Sequence, residues 1–129
     1  MISCVVPAYN EEESLPIFWE KLTGVLRTLG RPWEVVVVND GSTDRTADIL
    51  QALAAQHPEL RVVTLPSNRG KSFGLMAGFR AAKGEFIVTL DADLQDDPEE
   101  IPRLIELLET TPADLVGGWK KDRHDPFVK

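Results

Sequence analysis

Short, continuously apolar runs alternate with longer stretches of helical periodicity, and this alternation limits the fold more than any other feature of the chain. The runs at residues 2–6, 34–39, 61–65, 85–90 and 114–119 are rich in β-branched residues and are mostly unbroken by polar ones, as strands covered on both faces are. Between the first two, Leu15, Trp19, Leu22, Leu26 and Leu29 recur at spacings of four and three, with Gly30 as a stop. Thr46, Ile49, Leu50 and Leu53 mark a second helix that ends before Pro58, and a third spans about residues 72–83 with Gly84 just beyond it. The fourth has the fullest start signal. Asp97 suits the N-cap, Pro98 the first helical position and Glu100 the far end of a capping box, ahead of an apolar face of Ile101, Leu104, Ile105 and Leu108. Five strands joined by four helices predict an α/β fold, a three-layer sandwich around a mostly parallel central sheet.

At 129 residues the chain is sized for one domain with one core. Its 14 basic and 21 acidic side chains give 14 − 21 = −7, which argues against a nucleic-acid partner, since such a protein needs a basic face. Cys4 is the only cysteine, so an intrachain disulfide and a cysteine-based zinc site are excluded. No apolar run approaches the ~20 residues needed to span a bilayer. Pro7 and the acids at 11–13 come too early for a signal-peptide core, which makes the cytoplasm the expected compartment.

The polar clusters nearly all follow a strand immediately: residues 7–11, 40–44, 66–71, 91–95 and 120–123. In an open parallel sheet these segments share the carboxyl edge, where ligands bind. Asp91 and Asp93 are the sharpest signal among them. A buried strand delivers two carboxylates, two residues apart, to that edge, and keeping both ionised calls for a cation. An oxygen-only set suits Mg2+ or Mn2+, with substrate phosphate oxygens in the open positions and Gln95 as a neutral further ligand. Asp96, Asp97, Glu99 and Glu100 are assigned to the start of the next helix.

Asp40 follows the valine run of the second strand, and Gly41 lets the chain turn there. With Ser42 or Thr43 capping the next helix, Asp40 is left free to accept from a nucleobase edge or a ribose hydroxyl. Pro7 ends the first strand, Tyr9 offers a face for stacking on a base, Asn10 caps the first helix and Glu11 favours its dipole. Gly70, Lys71 and Ser72 resemble the end of a phosphate loop, but the required earlier glycine is replaced by Leu65. Lys71 then keeps the smaller role of helping to hold a diphosphate near a helix N-terminus. The basic stretch at 120–124 is a candidate phosphate receiver, and equally a solvated end. Cys4, Trp19, Trp33 and His57 read as structural or surface residues.

Together these segments resemble family 2 glycosyltransferases of the GT-A (Rossmann-like) fold. VVPAYNE at 5–11, VVNDGSTD at 37–44, NRGK at 68–71, AKGE at 82–85 and LDADLQDDP at 90–98 match in order and spacing over essentially the whole chain. The last of these is most similar to polyprenyl-phosphate sugar transferases of the dolichol-phosphate mannosyltransferase type. The resemblance implies a nucleotide-diphosphate-sugar pocket lined by Pro7, Tyr9, Glu11, Asp40, Lys71 and Asp91. It implies a catalytic metal motif at Asp91 and Asp93 assisted by Gln95, and an acceptor phosphate, a polyprenyl phosphate, met by Lys120 and Arg123. Metal-dependent transfer with inversion at the anomeric carbon follows. Membrane contact is then expected only through a lipid acceptor or a C-terminal portion, at the inner face of the membrane.

Family members run well past this length. Residues 1–129 are therefore expected to be the nucleotide-sugar-binding domain, truncated before the acceptor-binding part, with donor binding but no turnover by itself. The alternative is a non-catalytic nucleotide- or metal-binding module. A receiver-type signalling domain is disfavoured, because the places of its acid pair and phosphorylated aspartate hold residues 7–10 and Pro66-Ser67.

Overall fold

The structure, a computed structural model, describes residues 1–110. Strands and helices alternate as β1 (Ile2–Ala8), α1 (Leu15–Leu26), β2 (Trp33–Asp40), α2 (Thr46–Gln56), β3 (Leu60–Leu65), α3 (Lys71–Ala81), β4 (Phe86–Thr89) and α4 (Ile101–Thr110). A 3-10 turn at Pro98–Glu100 leads into α4. The strands form one parallel sheet in the order β3-β2-β1-β4. The strand expected at 114–119, and with it Lys120 and Arg123, lies outside the described residues.

The unbroken valines at 35–38 are buried throughout, because both faces of β2 are covered. On one face Cys4, Val6, Val35, Val37 and Val88 pack with Phe18, Trp19 and Leu22 of α1, Leu50 of α2, and Ile101, Leu104 and Ile105 of α4. Burying a side chain the size of Phe18 contributes about 1.5–3 kcal/mol. On the other face α3 lies against β1 and β2 through Gly74 and Gly78. A Cβ on Gly78 would collide with Val5 Cγ1, so only glycine allows this helix to approach so closely. The chain builds the sheet from β1 to β3 and then returns across β1 to β4. Right-handed crossovers on that path put α3 opposite the other helices and make the β1/β4 edge the point where strand order reverses. Cys4 is wholly enclosed in the core. Burial first, and Glu34 second, push its thiol up to about 12, in keeping with a purely structural part.

Three local expectations are corrected. β1 does not end at Pro7 but runs through it to Ala8, paired with Val38 and Asn39. Odd-numbered β1 residues turn their backbone groups toward β4, since the Leu90 N–H donates to Val5 O at 3.2 Å. β4 pairs only as far as Val5, so the missing N–H of Pro7 faces a side where the ladder has already stopped. Helix α2 is started by neither Ser42 nor Thr43; Asp44 Oδ1 accepts from the Thr46 N–H at 2.9 Å. Asn10 does not cap α1, and its side chain crosses to the 43–44 segment instead. The Asp97 cap is present, its Oδ1 accepting from the Glu99 N–H at 3.0 Å, while Glu100 lies toward Arg103 at 3.8 Å.

At the amino edge of the sheet, buried Glu34 accepts from Ser3 Oγ at 2.6 Å and from the Lys83 N–H at 2.7 Å. The Gly84 N–H donates to Ser3 Oγ at 2.8 Å, and Arg61 lies 3.5 Å from the other Glu34 oxygen. Burial pushes the Glu34 carboxyl up. The bonds from Ser3 and Lys83 and the charges of Arg61 and Lys83 outweigh it, holding the group below its ordinary value.

Candidate functional site

Hydrogen bonds between sequence-distant loops lace together the carboxyl edge of the sheet. Asn10, at φ +53°, accepts at Oδ1 from the Thr43 N–H at 2.8 Å, and its own N–H donates to Ser42 Oγ at 3.0 Å. The Glu11 N–H donates to Thr46 Oγ1, and the Arg45 N–H donates to Glu12 Oε1, both at 2.9 Å. The loop after β1 is thereby fixed to the loop after β2. Ser14 Oγ donates to Ala92 O at 2.7 Å and ties the start of α1 to the loop after β4.

Asp40 is not left free, contrary to the sequence expectation. It is 5% exposed, and its two oxygens accept from the Arg69 N–H at 2.8 Å and the Gly70 N–H at 3.0 Å. It therefore anchors the loop that leads into α3. Gly41, at φ +72°, makes the turn beside it, against the backbone of Ser67 and Asn68.

These loops enclose a cavity of about 350 Å3. Pro7, Ala8, Tyr9 and Glu11 line it from β1, Asp40 from β2, Asn68, Gly70 and Lys71 from the start of α3, and Asp91 and Asp93 from the loop after β4. Every residue expected to line a nucleotide-sugar pocket thus reaches one space. Tyr9 is 42% exposed and is one of the residues lining it. Among the lining residues four carboxylates face one cation, Lys71, whose Nζ lies 3.0 Å from Asp91 Oδ1. Glu11 registers this crowding. Burial first raises its carboxyl above the ordinary value, the bond from Ser14 lowers it, and the charges of Asp93, Asp91 and Asp44 add to the rise.

The loop carrying the two aspartates has its own scaffold. The Asp91 N–H donates to Asp96 Oδ2 at 2.8 Å, so Asp96 supports the backbone of Asp91. Asp93 Oδ1 accepts from the Gln95 N–H at 3.1 Å, in a turn where Leu94 takes φ +69°. Gln95 itself lines an adjoining cavity of about 450 Å3 with Lys21, Asp96 and Asp97. Its connection to the aspartate pair runs through its backbone N–H.

Among the described residues no three His, Cys, Asp or Glu side chains converge as a ready cage for a metal. The donor chemistry nevertheless fits a hard cation: two carboxylates border one cavity, and an ammonium already sits against Asp91. The roles of Asn10 and Asn68 had no local signal in sequence, because each depends on a partner or neighbour that only the fold brings close, whereas Asp96 meets Asp91 within its own loop.

A parallel sheet whose carboxyl edge gathers such a cavity where strand order reverses defines an open, doubly wound class of α/β protein, in which ligands bind at that point. Residues 3–127 match the profile of glycosyl transferase family 2, and the chain belongs to that family. It is 46% identical over 130 residues to the undecaprenyl-phosphate 4-deoxy-4-formamido-L-arabinose transferase of Pectobacterium carotovorum, an alignment covering 99% of this chain and 39% of that protein. The chain thus spans about two fifths of the length of the curated relatives it matches. In structure it is similar to a mannosyltransferase from Pyrobaculum calidifontis in complex with GDP-Man and Mn2+, with a TM-score of 0.67 and 30% identity over 87% of this chain and 33% of that one. It is also similar to glucosyl-3-phosphoglycerate synthase from Mycobacterium tuberculosis in complex with Mn2+, UDP and phosphoglyceric acid, with a TM-score of 0.68 and 29% identity over 88% of this chain and 40% of that one. The GT-A fold and the likeness to polyprenyl-phosphate sugar transferases expected from the sequence are both borne out.

Proposed function

We propose that this chain holds a nucleotide-diphosphate sugar in the cavity at the carboxyl edge, for inverting transfer of the sugar to a polyprenyl phosphate at the inner face of the membrane. The observation that carries this reading is the convergence of Tyr9, Asp40, Lys71, Asp91 and Asp93 on one space from four separate loops. Tyr9 stacks on the base, a contact worth about 1–3 kcal/mol where measured. Asp40 keeps lone pairs beyond those taken by Arg69 and Gly70, and with these it accepts from the ribose or base. Pro7 and Glu11 border the nucleoside.

A dianionic diphosphate does not enter a carboxylate-rich cavity without a cation. Asp91 and Asp93 would hold Mg2+ or Mn2+, the ligand pair being completed by donor oxygens. Such an ion, when bound, offsets the charge that develops on the departing diphosphate. Lys71 and the first-turn N–H groups of α3 hold the diphosphate in place. A phosphate acceptor is already ionised and needs no general base; it attacks opposite the leaving group, and Lys120 and Arg123 are assigned to receive it. The solved relatives in complex with GDP-Man or UDP and with Mn2+ support the donor class and the ion.

Calorimetric titration with UDP and GDP, with and without Mn2+, tests the reading. Mn2+-dependent binding that is lost in Asp93→Ala is expected, and metal-indifferent binding or none would overturn it. Release of nucleoside diphosphate on adding polyprenyl phosphate separates a transferring enzyme from a module that only binds donor.

A further inference from the structure

Helix α3 is inverted for a surface helix. It turns Gly74 and Gly78 to the sheet and leaves Phe73 44% and Met76 55% exposed. Phe73, Met76 and Arg80 are spaced i, i+3 and i+7 and so share one outward stripe. Just before the helix, the Arg69 guanidinium lies 4.4 Å from the centre of the Phe73 ring. From residue 69 to residue 83 the chain carries Arg69, Lys71, Arg80 and Lys83 and no acid, within a protein of net charge −7. Bulky apolar side chains pointing outward among cations, on an otherwise acidic molecule, match a layer that is anionic above and apolar beneath. Among the described residues no helix is long and apolar enough to cross a membrane, so contact through this helix is peripheral.

We propose that the outer face of α3 docks on an anionic lipid surface. Phe73 and Met76 enter the headgroup level, while Arg69, Arg80 and Lys83 meet lipid phosphates. Lys71 opens the same helix and lines the donor cavity, so the docked face adjoins the cavity that a lipid-borne acceptor would have to reach.

The test is co-sedimentation of the 129-residue chain with vesicles of phosphatidylcholine, with and without phosphatidylglycerol, at low and high salt. The chain is expected to partition at least about tenfold better into the anionic vesicles, and to lose that advantage at high salt. The double variant Phe73→Ser, Met76→Ser is expected to lower partitioning by at least about tenfold. Ile17→Ser, at a 51% exposed apolar residue on α1, should leave partitioning unchanged. Indifference to phosphatidylglycerol overturns the proposal, as does a double variant that binds like the parent or an Ile17 variant that falls equally. A chain that ignores vesicles but forms dimers in sedimentation velocity, abolished by the double variant, would assign the face to a second copy and also overturn it. No nucleotide or metal enters the assay, so its failure is distinct from failure of the donor titration.

Discussion

The Lys71 ammonium lies 3.0 Å from Asp91 Oδ1 and 3.2 Å from Asp91 Oδ2, across the mouth of a cavity that also holds Asp93. In the proposed reading a divalent ion would use the same Asp91 carboxylate, so Lys71 and the ion would compete for it. Lys71 is 42% exposed on its side chain, so the pair is worth no more than about 0.2–1 kcal/mol. Lys71→Met is expected to tighten Mn2+ binding to the nucleotide-free chain by about 1.4- to fivefold, the equivalent of that energy, while weakening UDP binding. Spin-resonance counting of free Mn2+ reads the first effect and calorimetry the second. Weaker Mn2+ binding in the variant would show that Lys71 does not occupy the ion's position.

Two glycines should respond oppositely to alanine. Gly41 sits at φ +72°, and an added Cβ would press on the backbone of Ser67 and Asn68, next to the N–H groups that Asp40 anchors. Gly41→Ala is expected to cost at least about 2 kcal/mol in urea unfolding and to weaken nucleotide binding with it. Gly24 lies inside α1 with nothing within 4 Å of an added Cβ. Gly24→Ala should raise stability by about 0.5–1 kcal/mol and leave nucleotide binding alone.

The Glu34 network predicts a pH dependence. Its folded carboxyl is held below the ordinary 4.5, so the stabilisation is fully present above that value and disappears as pH falls through the folded pKa. Glu34→Gln keeps the shape and removes the charge. It should cost about 1.5–3 kcal/mol at neutral pH. It should also flatten the acid limb of stability against pH, measured by denaturant midpoints. An unchanged acid limb would place the pH sensitivity elsewhere.

What the sequence disclosed follows from the range of each interaction. Valines at 35–38 without a polar break fit a strand covered on both faces, and strand ends carrying Tyr9, Lys71, Asp91 and Asp93 must share an edge if the sheet is parallel. Those signals are local, and the cavity they imply is present. Asp40 looked free because its partners, the Arg69 and Gly70 N–H groups, are 29 and 30 residues away. Asn10 looked like a cap because its partner Thr43 is 33 residues away. Pro7 looked like a stop because only the early end of β4 shows that its missing N–H is harmless.

Asp96 and Asp97 are neighbours with separable duties. Asp96 Oδ2 accepts from the Asp91 N–H at 2.8 Å, and Asp97 Oδ1 accepts from the Glu99 N–H at 3.0 Å. Asp96→Ala removes the acceptor that sets the backbone of Asp91, although Asp96 lines the adjoining cavity and not that of the aspartate pair. Supporting groups of this kind typically change metal affinity by about 10- to 100-fold when they stand behind a ligand. A loss toward the lower end is expected for a backbone contact. Asp96→Asn, whose amide oxygen can take the same bond, should recover most of it. Asp97→Ala should instead cost about 0.5–2 kcal/mol of stability through the lost cap and leave Mn2+ affinity unchanged. Equal effects of the two alanines on Mn2+ binding would mean that the loop fails as a unit, and that Asp96 has no separate hold on Asp91.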